Sequence, residues 1–513
     1  MLIPFLSLLG QESGALIEGQ ATNSLTGEAV RKCKITLRRL DAKAESTSYA
    51  TTDAEGRFAF DNLPPGRFRL SAEKTGFAPQ EFGARVYGRP GTVLALDRGM
   101  QLKGLALRIT PQGAVSGKVT DEDGDPIAGA AVQLLRTSYI EGRPQLTATG
   151  FTQTNDLGEY RIFGVNPGRY YLSASTARSF DKKDDNFAPT YFPGTIDPAV
   201  AGRLEIIAGL QLRSIDLTLR KTPVLNVKGK FSGPGHEQST RSGTMQLYPR
   251  GLIGLAALMR NFTTIRGTAG VFEFPNVLPG SYVLVADQAE DKDKHYFARI
   301  PVEVGNSSID DLHVTLSEGV EIQGRIRMEG QADVSLAGAM VFLRPRDVQT
   351  GANVNTRIKP DGTFTLASVP PGWHRVNLVT LPPALYLKSI RYGQDDALLN
   401  GFNATGPNQL EIVLSSKGGA VDGQTTAGAR VGLIPRSGLP EYYKVTTADG
   451  DGRFAFRGVA PGDYVLLASE EIDAGRFSDP ELLTQFESSG EAVSIKEGSR
   501  ETKQLKTISP DPR

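Results

Sequence analysis

Hydrophobic and polar residues alternate with a period of two through most of this chain, and helical periodicity is nearly absent. Such alternation is typical of β-strands that bury one face. Residues that tolerate positive φ, such as Asp123-Gly124, separate the alternating runs. We therefore expect an all-β protein of short strands and tight turns, with two short helices at Leu252–Arg260 and Pro480–Glu487.

One turn sequence recurs five times with the same internal spacing. A turn ends in Gly and runs into alternating apolar residues, and a Pro-Gly pair places a second Gly ten residues later. The copies are DAEGRFAFDNLPPGRFRL (Asp53–Leu70), NDLGEYRIFGVNPGRYYL (Asn155–Leu172), GTAGVFEFPNVLPGSYVL (Gly267–Leu284), KPDGTFTLASVPPGWHRV (Lys359–Val376) and DGDGRFAFRGVAPGDYVL (Asp449–Leu466). The repeat glycines are Gly56/Gly66, Gly158/Gly168, Gly270/Gly280, Gly362/Gly372 and Gly452/Gly462. An internal repeat of this kind predicts a tandem array of similar units.

The spacing of the repeat sets the size of each unit. Successive first glycines are 102, 112, 92 and 90 residues apart, close to the common size of one domain. Short strands with a turn about every 8–12 residues favour a β-sandwich in each unit. The connections are only a few residues long, so we expect a rod of stiffly joined beads. The predicted units one to five are residues 16–111, 112–222, 223–318, 319–417 and 418–513.

The repeat also predicts local structure. Proline presets φ and glycine accepts positive φ, so we expect each Pro-Gly pair at the centre of a type II turn. The residues two and four positions after the first glycine alternate onto one face, which we expect to be the core. They are Phe58/Phe60, Tyr160/Ile162, Phe272/Phe274, Phe364/Leu366 and Phe454/Phe456.

The pattern of the repeat resembles that of a known family. A G-x-V opening strand, an A-x-V-x-L second strand, D-x-x-G-x-F-x-F and L-P-P-G-x-Y-x-L together resemble the carboxypeptidase regulatory-like domain. That family is similar to transthyretin-like and collagen-adhesin (Cna) B-type sandwiches and is grouped with carbohydrate-binding-like folds. The resemblance runs from Ile17 to about Ile508, although unit three lacks the acidic turn and unit four has Trp373-His374 in place of x-Tyr or x-Phe.

The resemblance implies an all-β tandem array of five Ig-like or transthyretin-like antiparallel β-sandwich domains. The segments Thr190–Pro198 and Tyr386–Asp396 look like loops in tandem-repeat versions of the family from secreted bacterial proteins. A sandwich of this type serves as an adhesive, a spacer or a sugar-binding module, so the fold alone names no ligand.

Charge and cysteine content narrow the function classes. Lys+Arg and Asp+Glu both number 57, so the chain carries no net charge that would favour nucleic acid or an anionic membrane. Cys33 is the only cysteine, which excludes an intramolecular disulfide and a cysteine-based zinc site. We expect it to be a small buried residue.

The amino terminus bears on localisation. Leu2–Leu9 is an apolar stretch of the length found in signal peptides, but no basic residue precedes Arg31. We interpret residues 1–15 as an incomplete signal peptide, with a short disordered or strand-forming terminus as the alternative. No later stretch is long and apolar enough to span a membrane, so we expect a secreted or cell-surface protein.

Catalytic motifs are missing from the sequence. The four histidines are His236, His295, His313 and His374, and no HExxH, HxxE, GxSxG or Walker pattern occurs. We therefore predict no enzyme, no cofactor and no metal site. The acidic turns at Asp121–Asp125 and Asp449–Asp451 are interpreted as hairpin turns, with a weak calcium site as the alternative.

Exposed aromatic side chains in loops are the remaining candidates for ligand binding, because sugars stack on such rings. The candidates are Tyr191, Phe192, Trp373, Tyr386 and Tyr392. The sequence as a whole favours a non-catalytic secreted or cell-surface bacterial repeat protein that acts as a spacer or adhesin through its loops. Two alternatives stay open: an array of polysaccharide-binding modules, and an accessory partner of a separate hydrolase or peptidase. The expected partners are polysaccharide or extracellular proteins.

Overall fold

The computed structural model of the chain describes residues 14–41, 46–84, 86–140, 143–176, 187–234, 241–250, 261–291, 293–330, 336, 338–346, 354–472 and 474–508. Residues 1–13 of the predicted signal peptide (residues 1–15) and the predicted helix Leu252–Arg260 lie outside the described residues, whereas Ala15 begins the first strand. The second predicted helix is confirmed as α1, Pro480–Phe486.

Strands dominate the described residues. Units one and two contain β1 Ala15–Asn23, β2 Lys34–Arg39, β3 Thr47–Thr51, β4 Arg57–Leu63, β5 Gly66–Glu73, β6 Gln80–Glu81, β7 Leu94–Leu96, β8 Gln101–Ile109, β9 Gly113–Thr120, β10 Ala131–Ile140, β11 Arg143–Gln153, β12 Glu159–Val165, β13 Gly168–Ser175, β14 Thr190–Tyr191, β15 Leu204–Ile206, β16 Gln211–Leu212 and β17 Leu217–Thr218. Unit two also has a 3-10 turn at Pro198–Val200.

The later units repeat this order. Unit three contains β18 Leu225–Ser232, β19 Ser242–Pro249, β20 Asn261–Arg266, β21 Ala269–Val277, β22 Gly280–Ala289, β23 His295–Val304, β24 Ile309–Thr315 and β25 Ser317–Glu318. Unit four contains β26 Val320–Glu329, β27 Met340–Pro345, β28 Val354–Arg357, β29 Thr363–Val369, β30 Gly372–Val379, β31 Tyr386–Tyr392, β32 Asp395–Asp396, β33 Phe402–Ala404 and β34 Gln409–Ser415. Unit five contains β35 Gly419–Gln424, β36 Arg430–Pro435, β37 Lys444–Thr447, β38 Arg453–Val459, β39 Gly462–Ser469, β40 Glu491–Ile495 and β41 Arg500–Gln504, with 3-10 turns at Pro440–Tyr442 and Ala474–Ser478.

Two sheets form in each predicted unit. In unit one the sheets have the orders β4-β1-β8 and β3-β2-β5-β6, with β7 also paired to β5, and the same scheme returns in the later units. Most pairings are antiparallel, but the first strand of each unit pairs in parallel with a closing strand, as β1 does with β8 and β18 with β24. The all-β architecture of repeated sandwich units is confirmed, while the unit boundaries stay a prediction. Nothing in the sequence pattern indicated the parallel pair.

A separate hydrophobic cluster fills the space between the two sheets of each unit. The ten aromatic and aliphatic residues that the repeat predicted to face inward are all buried, from Phe274 at 0% to Phe60 at 6% exposure. In units one, three and five the two aromatic rings of β4, β21 and β38 meet edge to face, at centroid distances of 6.3, 5.7 and 6.0 Å. Burial of these side chains contributes to the stability of each sandwich.

The opening strand of each unit carries a glycine directly opposite the first of these rings. The pairs in register are Gly19–Phe58, Gly117–Tyr160, Gly229–Phe272, Gly324–Phe364 and Gly423–Phe454. A Cβ on Gly324 would lie 2.0 Å from Cζ of Phe364, and one on Gly423 would lie 2.3 Å from Cζ of Phe454. Because glycine has no side chain, it leaves room for the aromatic ring of the facing strand.

The first repeat glycine closes a tight turn. In unit one Asp53 N donates to Arg57 O at 3.0 Å, and Gly56 N donates to Asp53 O at 3.2 Å. Gly56 has φ of +73°, which favours glycine. Gly158, Gly362 and Gly452 repeat this geometry at φ of +70°, +80° and +79°, whereas in unit three the positive φ of +80° lies at Gly267 instead of Gly270.

The second repeat glycine does not form the predicted type II turn, so that prediction is wrong. A type II turn needs φ near +80° at its glycine, but φ is +156° at Gly66 and Gly168, +154° at Gly280, +127° at Gly372 and +152° at Gly462. Each of these residues begins the next strand, for example Gly66 in β5. The glycine thus supplies a largely extended conformation with positive φ, which other residues avoid.

Unit five touches units one and two, so the expectation of a simple rod is wrong. Arg89, in the loop between β6 and β7, is only 6% exposed. Its Nη2 donates to the carbonyl oxygens of Glu470 at 3.2 Å and Ile472 at 3.1 Å in unit five. A Cβ on Gly475 of unit five would lie 3.2 Å from the carbonyl oxygen of Tyr139 in β10. The array therefore folds back on itself: a loop of unit one bonds the backbone of unit five, and β10 of unit two lies against the same part of unit five.

Candidate functional site

The structure places most of the predicted sugar-stacking residues in cores. Tyr191, Tyr386 and Tyr392 are 1%, 6% and 4% exposed, and Phe192 is half-buried against the core of unit two. Burial alone raises the pKa of Tyr191 to about 12. These rings offer no open face to a ligand, because the core already covers them. The predicted loop platform is therefore corrected to core packing at Tyr191, Tyr386 and Tyr392.

Trp373 is the exposed member of the predicted set, at 44%. It lies in β30, and the guanidinium of Arg346 stands 5.5 Å from the centre of its ring. The backbone N of Arg346 also donates to the carbonyl oxygen of Trp373 at 2.9 Å. A cation–π contact thus uses one face of the indole. Trp373 remains a predicted ligand-contact residue. It does not form one binding surface with the tyrosines, because they are buried.

A buried hydrogen bond recurs two residues after the second repeat glycine, which the sequence reasoning missed. The hydroxyls of Tyr170, Tyr282 and Tyr464 each donate at 2.8 Å to the carbonyl oxygen four residues earlier, at Asn166, Leu278 and Ala460. This is the arrangement of the tyrosine corner of immunoglobulin-like sandwiches. The x-Tyr and x-Phe positions compared between copies were the signal that could have revealed it.

Tyr464→Phe tests the corner. The change leaves the buried carbonyl of Ala460 without its donor, so we expect unit five to lose about 1–2 kcal/mol of unfolding free energy. In unit one, Phe68→Tyr should add the same bond to Pro64 and protect that unit. Hydrogen exchange of peptides from β39 and β5 measures both effects, with Tyr49→Phe at an exposed hydroxyl as the control. Unchanged exchange in β39 would contradict the role of the corner.

Unit four replaces the corner tyrosine with His374. The imidazole is 3% exposed, and its Nε2 lies 2.6 Å from the carbonyl oxygen of Pro370, four residues earlier. Burial lowers the pKa of His374, an effect that the Pro370 contact opposes and the charge of Arg299 reinforces. The neutral ring with a proton on Nε2 is therefore the form that serves as the corner.

This burial makes the stability of unit four depend on pH. The unfolded chain binds a proton at the ordinary histidine pKa of 6.5, whereas the folded chain binds it only at lower pH. Stability is therefore complete above pH 6.5 and falls as the pH drops towards the folded-state pKa. We expect His374→Tyr to remove this loss, measured as hydrogen exchange of β30 peptides at pH 7.5 and 5.5. His313→Tyr, at an exposed histidine, is the control, and an unchanged pH effect in His374→Tyr would contradict the account.

The carboxylates of the acidic turns accept hydrogen bonds from backbone amides. Oδ1 of Asp121 accepts from the N of Asp123 at 3.0 Å and of Asp125 at 2.9 Å. Oδ1 of Asp449 accepts in the same way from Asp451 and Arg453. Across the residues that the structure describes, no group of three or more His, Cys, Asp or Glu side chains could hold a metal ion. The hairpin interpretation accounts for these carboxylates.

The remaining reactive residues lie apart from one another. Cys33 is buried, and burial is the main cause that raises the pKa of its thiol. His295 Nδ1 lies 2.8 Å from Oδ1 of Asp287, and His313 is exposed on β24. His236 lies outside the described residues. Within the described ranges, no helix is long and apolar enough to cross a membrane.

A polar groove of about 650 Å³ lies on unit two, along β9 and β12. Its charged groups are largely engaged with each other: Lys118 Nζ lies 3.3 Å from Glu159, and Oδ1 of Asp216 accepts from the backbone N of Lys118 at 2.8 Å. The hydroxyl of Tyr160 donates to the carbonyl oxygen of Ile215. These bonds join β9 to the strands on either side of it. Few polar groups of the groove are therefore left to bind a ligand.

The fold and the repeat define a class, the all-β tandem protein of sandwich units. Residues 16–98 and 114–187 match the family model of the carboxypeptidase regulatory-like domain. The predicted resemblance is thereby confirmed for these two segments. A comparison with curated proteins found no match.

Among solved structures the chain is similar to Gram-positive pilins. A streptococcal ancillary pilin is 12% identical, with 60% of this chain and 99% of that chain covered and a TM-score of 0.23. A minor pilin of Streptococcus agalactiae is 15% identical, with 41% and 97% covered and a TM-score of 0.24. A shaft pilin of Lactobacillus rhamnosus GG is 11% identical, with 42% and 99% covered and a TM-score of 0.23.

Proposed function

We propose that this protein is a non-catalytic structural protein of the cell surface or extracellular space, working as a spacer or adhesin. The proposal rests on one observation: the repeated residues make contacts that stabilise the fold. The turn acids bond backbone amides, the corner tyrosines bond backbone carbonyls, and the aromatic rings fill cores. The residues that recur between units thus serve folding, and the described histidines and Cys33 lie apart from one another.

Display outside the cell is the part of the proposal that an experiment tests most simply. Brief protease treatment of intact cells that make the protein should remove it, while a cytoplasmic marker in the same cells survives. Cells that lack the protein should also attach less well to a surface coated with extracellular polymer. Full protection of the protein in intact cells would overturn the proposal.

A second candidate, the binding of polysaccharide, is favoured by one specific observation. The contacts of unit five with units one and two enclose a groove rich in arginine and tyrosine. The predicted loop platform of buried tyrosines does not support this function, whereas the groove does. Its geometry is developed below.

A further inference from the structure

The groove lies where three units meet. It has a volume of about 620 Å³ and takes residues from unit one (Val86, Tyr87), from β10, β13 and β15 of unit two, and from unit five (Glu471, Arg476, Gln485). The hydroxyl of Tyr87 donates to the carbonyl oxygen of Pro167, which joins the first two units at the rim. A groove of this size fits a ligand of several sugar residues.

Charge distinguishes the groove from the rest of the chain. Its lining holds the four arginines Arg136, Arg169, Arg203 and Arg476 against two glutamates, Glu205 and Glu471, a net charge of +2, while the whole chain has none. The guanidinium group is planar and matches a carboxylate with two parallel hydrogen bonds. The charge of the groove therefore favours an anionic ligand.

Tyrosines supply flat, partly exposed surfaces beside these charges. Tyr171 and Arg169 alternate with the buried Tyr170 and Leu172 on β13, so both project from the outer face of the sheet. Arg203 Nε donates to the hydroxyl of Tyr171 at 2.9 Å, which fixes the positions of both groups. The guanidinium of Arg203 also lies over this ring, 5.9 Å from its centre. One face of Tyr171 is thus used by the cation, and Arg203 is held where it can bond the acidic group of a sugar.

The backbone under the groove argues against a peptide. β10 is hydrogen-bonded to β11 and β13, and β13 is bonded to β10, β14 and β15. An extended peptide is recognised by adding a strand to an open edge, and β10 and β13 have a neighbour on both sides. Among the described strands under the groove, only the three-residue β15 has a free side, because it pairs with β13 alone. Recognition over β10 and β13 must come from side chains, as in sugar binding.

We propose that this groove binds an acidic polysaccharide whose carboxylates are held by Arg169, Arg203 and Arg476. The proposal rests on the proposed function, because it names the ligand class through which the protein would adhere. The site spans units two and five, so it exists only when the array is folded back. Binding is a property of the purified chain, whereas display is a property of the cell, so the two proposals can fail separately.

The test is binding of the purified full chain to polygalacturonate, measured by calorimetry and by gel retardation. We expect binding to polygalacturonate and none to neutral dextran. Arg169→Ala/Arg203→Ala and the single change Arg476→Ala should each weaken binding about tenfold or more, since each removes a charged hydrogen bond. Arg161→Ala, which removes a charge from the opposite sheet of unit two, should bind as well as the natural chain.

Three outcomes would overturn the proposal. One is the absence of binding to polygalacturonate, and another is binding that survives the groove variants with unchanged affinity. The third is equally tight binding of polyglutamate, which would show that the occupant is an acidic protein. Unfolding curves of each variant separate lost binding from lost folding, and Arg203→Lys, which keeps the charge without the planar fork, provides a milder second variant.

Discussion

Replacing Gly229 by Ala is expected to unfold unit three. The added Cβ would lie 2.0 Å from the carbonyl oxygen of Leu312 and 2.7 Å from Cζ of Phe272. Leu312 is in β24, the strand that pairs in parallel with β18, so its carbonyl cannot move without breaking the sheet. Phe272 is 5% exposed and has no room to turn away. We expect a loss of about 3 kcal/mol or more in unfolding free energy.

Gly305→Ala is the matched control, since nothing lies within 4 Å of a Cβ added at this exposed residue of the same unit. Its effect should stay within about 0.5 kcal/mol. Hydrogen exchange of peptides from β21 and β22 measures the two variants unit by unit, which suits a chain that does not unfold in one step. Equal exchange in both variants would contradict the explanation of the glycine–aromatic pairs.

Arg89→Ala is expected to release unit five from unit one while leaving both units folded. The change removes two hydrogen bonds from a charged, buried donor to the carbonyl oxygens of Glu470 and Ile472. Charged hydrogen bonds contribute about 1.5–3 kcal/mol each, so the closed arrangement should weaken by roughly 3 kcal/mol or more. Small-angle scattering should then report a larger radius of gyration.

Arg31→Ala, at an exposed arginine of the same unit, is the control for this variant and should scatter like the natural chain. Unfolding temperature separates opening from loss of structure, because an opened array of intact sandwiches keeps its melting transitions. An Arg89→Ala chain that stays as compact as the control would show that this contact does not hold the array closed.

Much of the fold could be predicted because one pattern repeats five times. Period-two alternation located the strands, and the residues two and four after the first glycine, such as Phe454 and Phe456, were correctly placed in the core. The turn geometry was only half right. Gly56 closes a turn as expected, whereas Gly66 extends the next strand, and a Pro-Gly pair alone does not distinguish the two conformations.

One repeated feature escaped notice although the sequence contains it. The residue six positions after the first glycine has positive φ in every copy and bulges its strand: Asn62 (52°), Gly164 (70°), Asn276 (57°), Ser368 (53°) and Gly458 (56°). Asn and Gly tolerate this conformation better than other residues do. A column of Asn, Gly and Ser within alternating strands was therefore a readable signal of a bulge.

The candidate site could not be predicted, because its parts are distant in sequence. Loop composition suggested exposed tyrosines, but Tyr392 stacks on Phe402 at 4.3 Å inside unit four. The arginine groove depends on contacts between residues several hundred positions apart, such as Arg89 and Ile472. Linker length informs only on neighbouring units, and no local pattern encodes the docking of the last unit on the first two.

Cross-linking tests the central claim, a folded-back array of sandwich units, most directly. Cysteines at Gly88 and Ala474 flank the Arg89 contact at exposed positions, and a short bismaleimide can join them while Cys33 stays buried. The account predicts an intrachain cross-link between the two peptides, seen by mass spectrometry, that Arg89→Ala largely abolishes. A cysteine pair at Gly88 and Gly305 should give none. An uncross-linked Gly88–Ala474 pair in the otherwise natural chain would contradict the account.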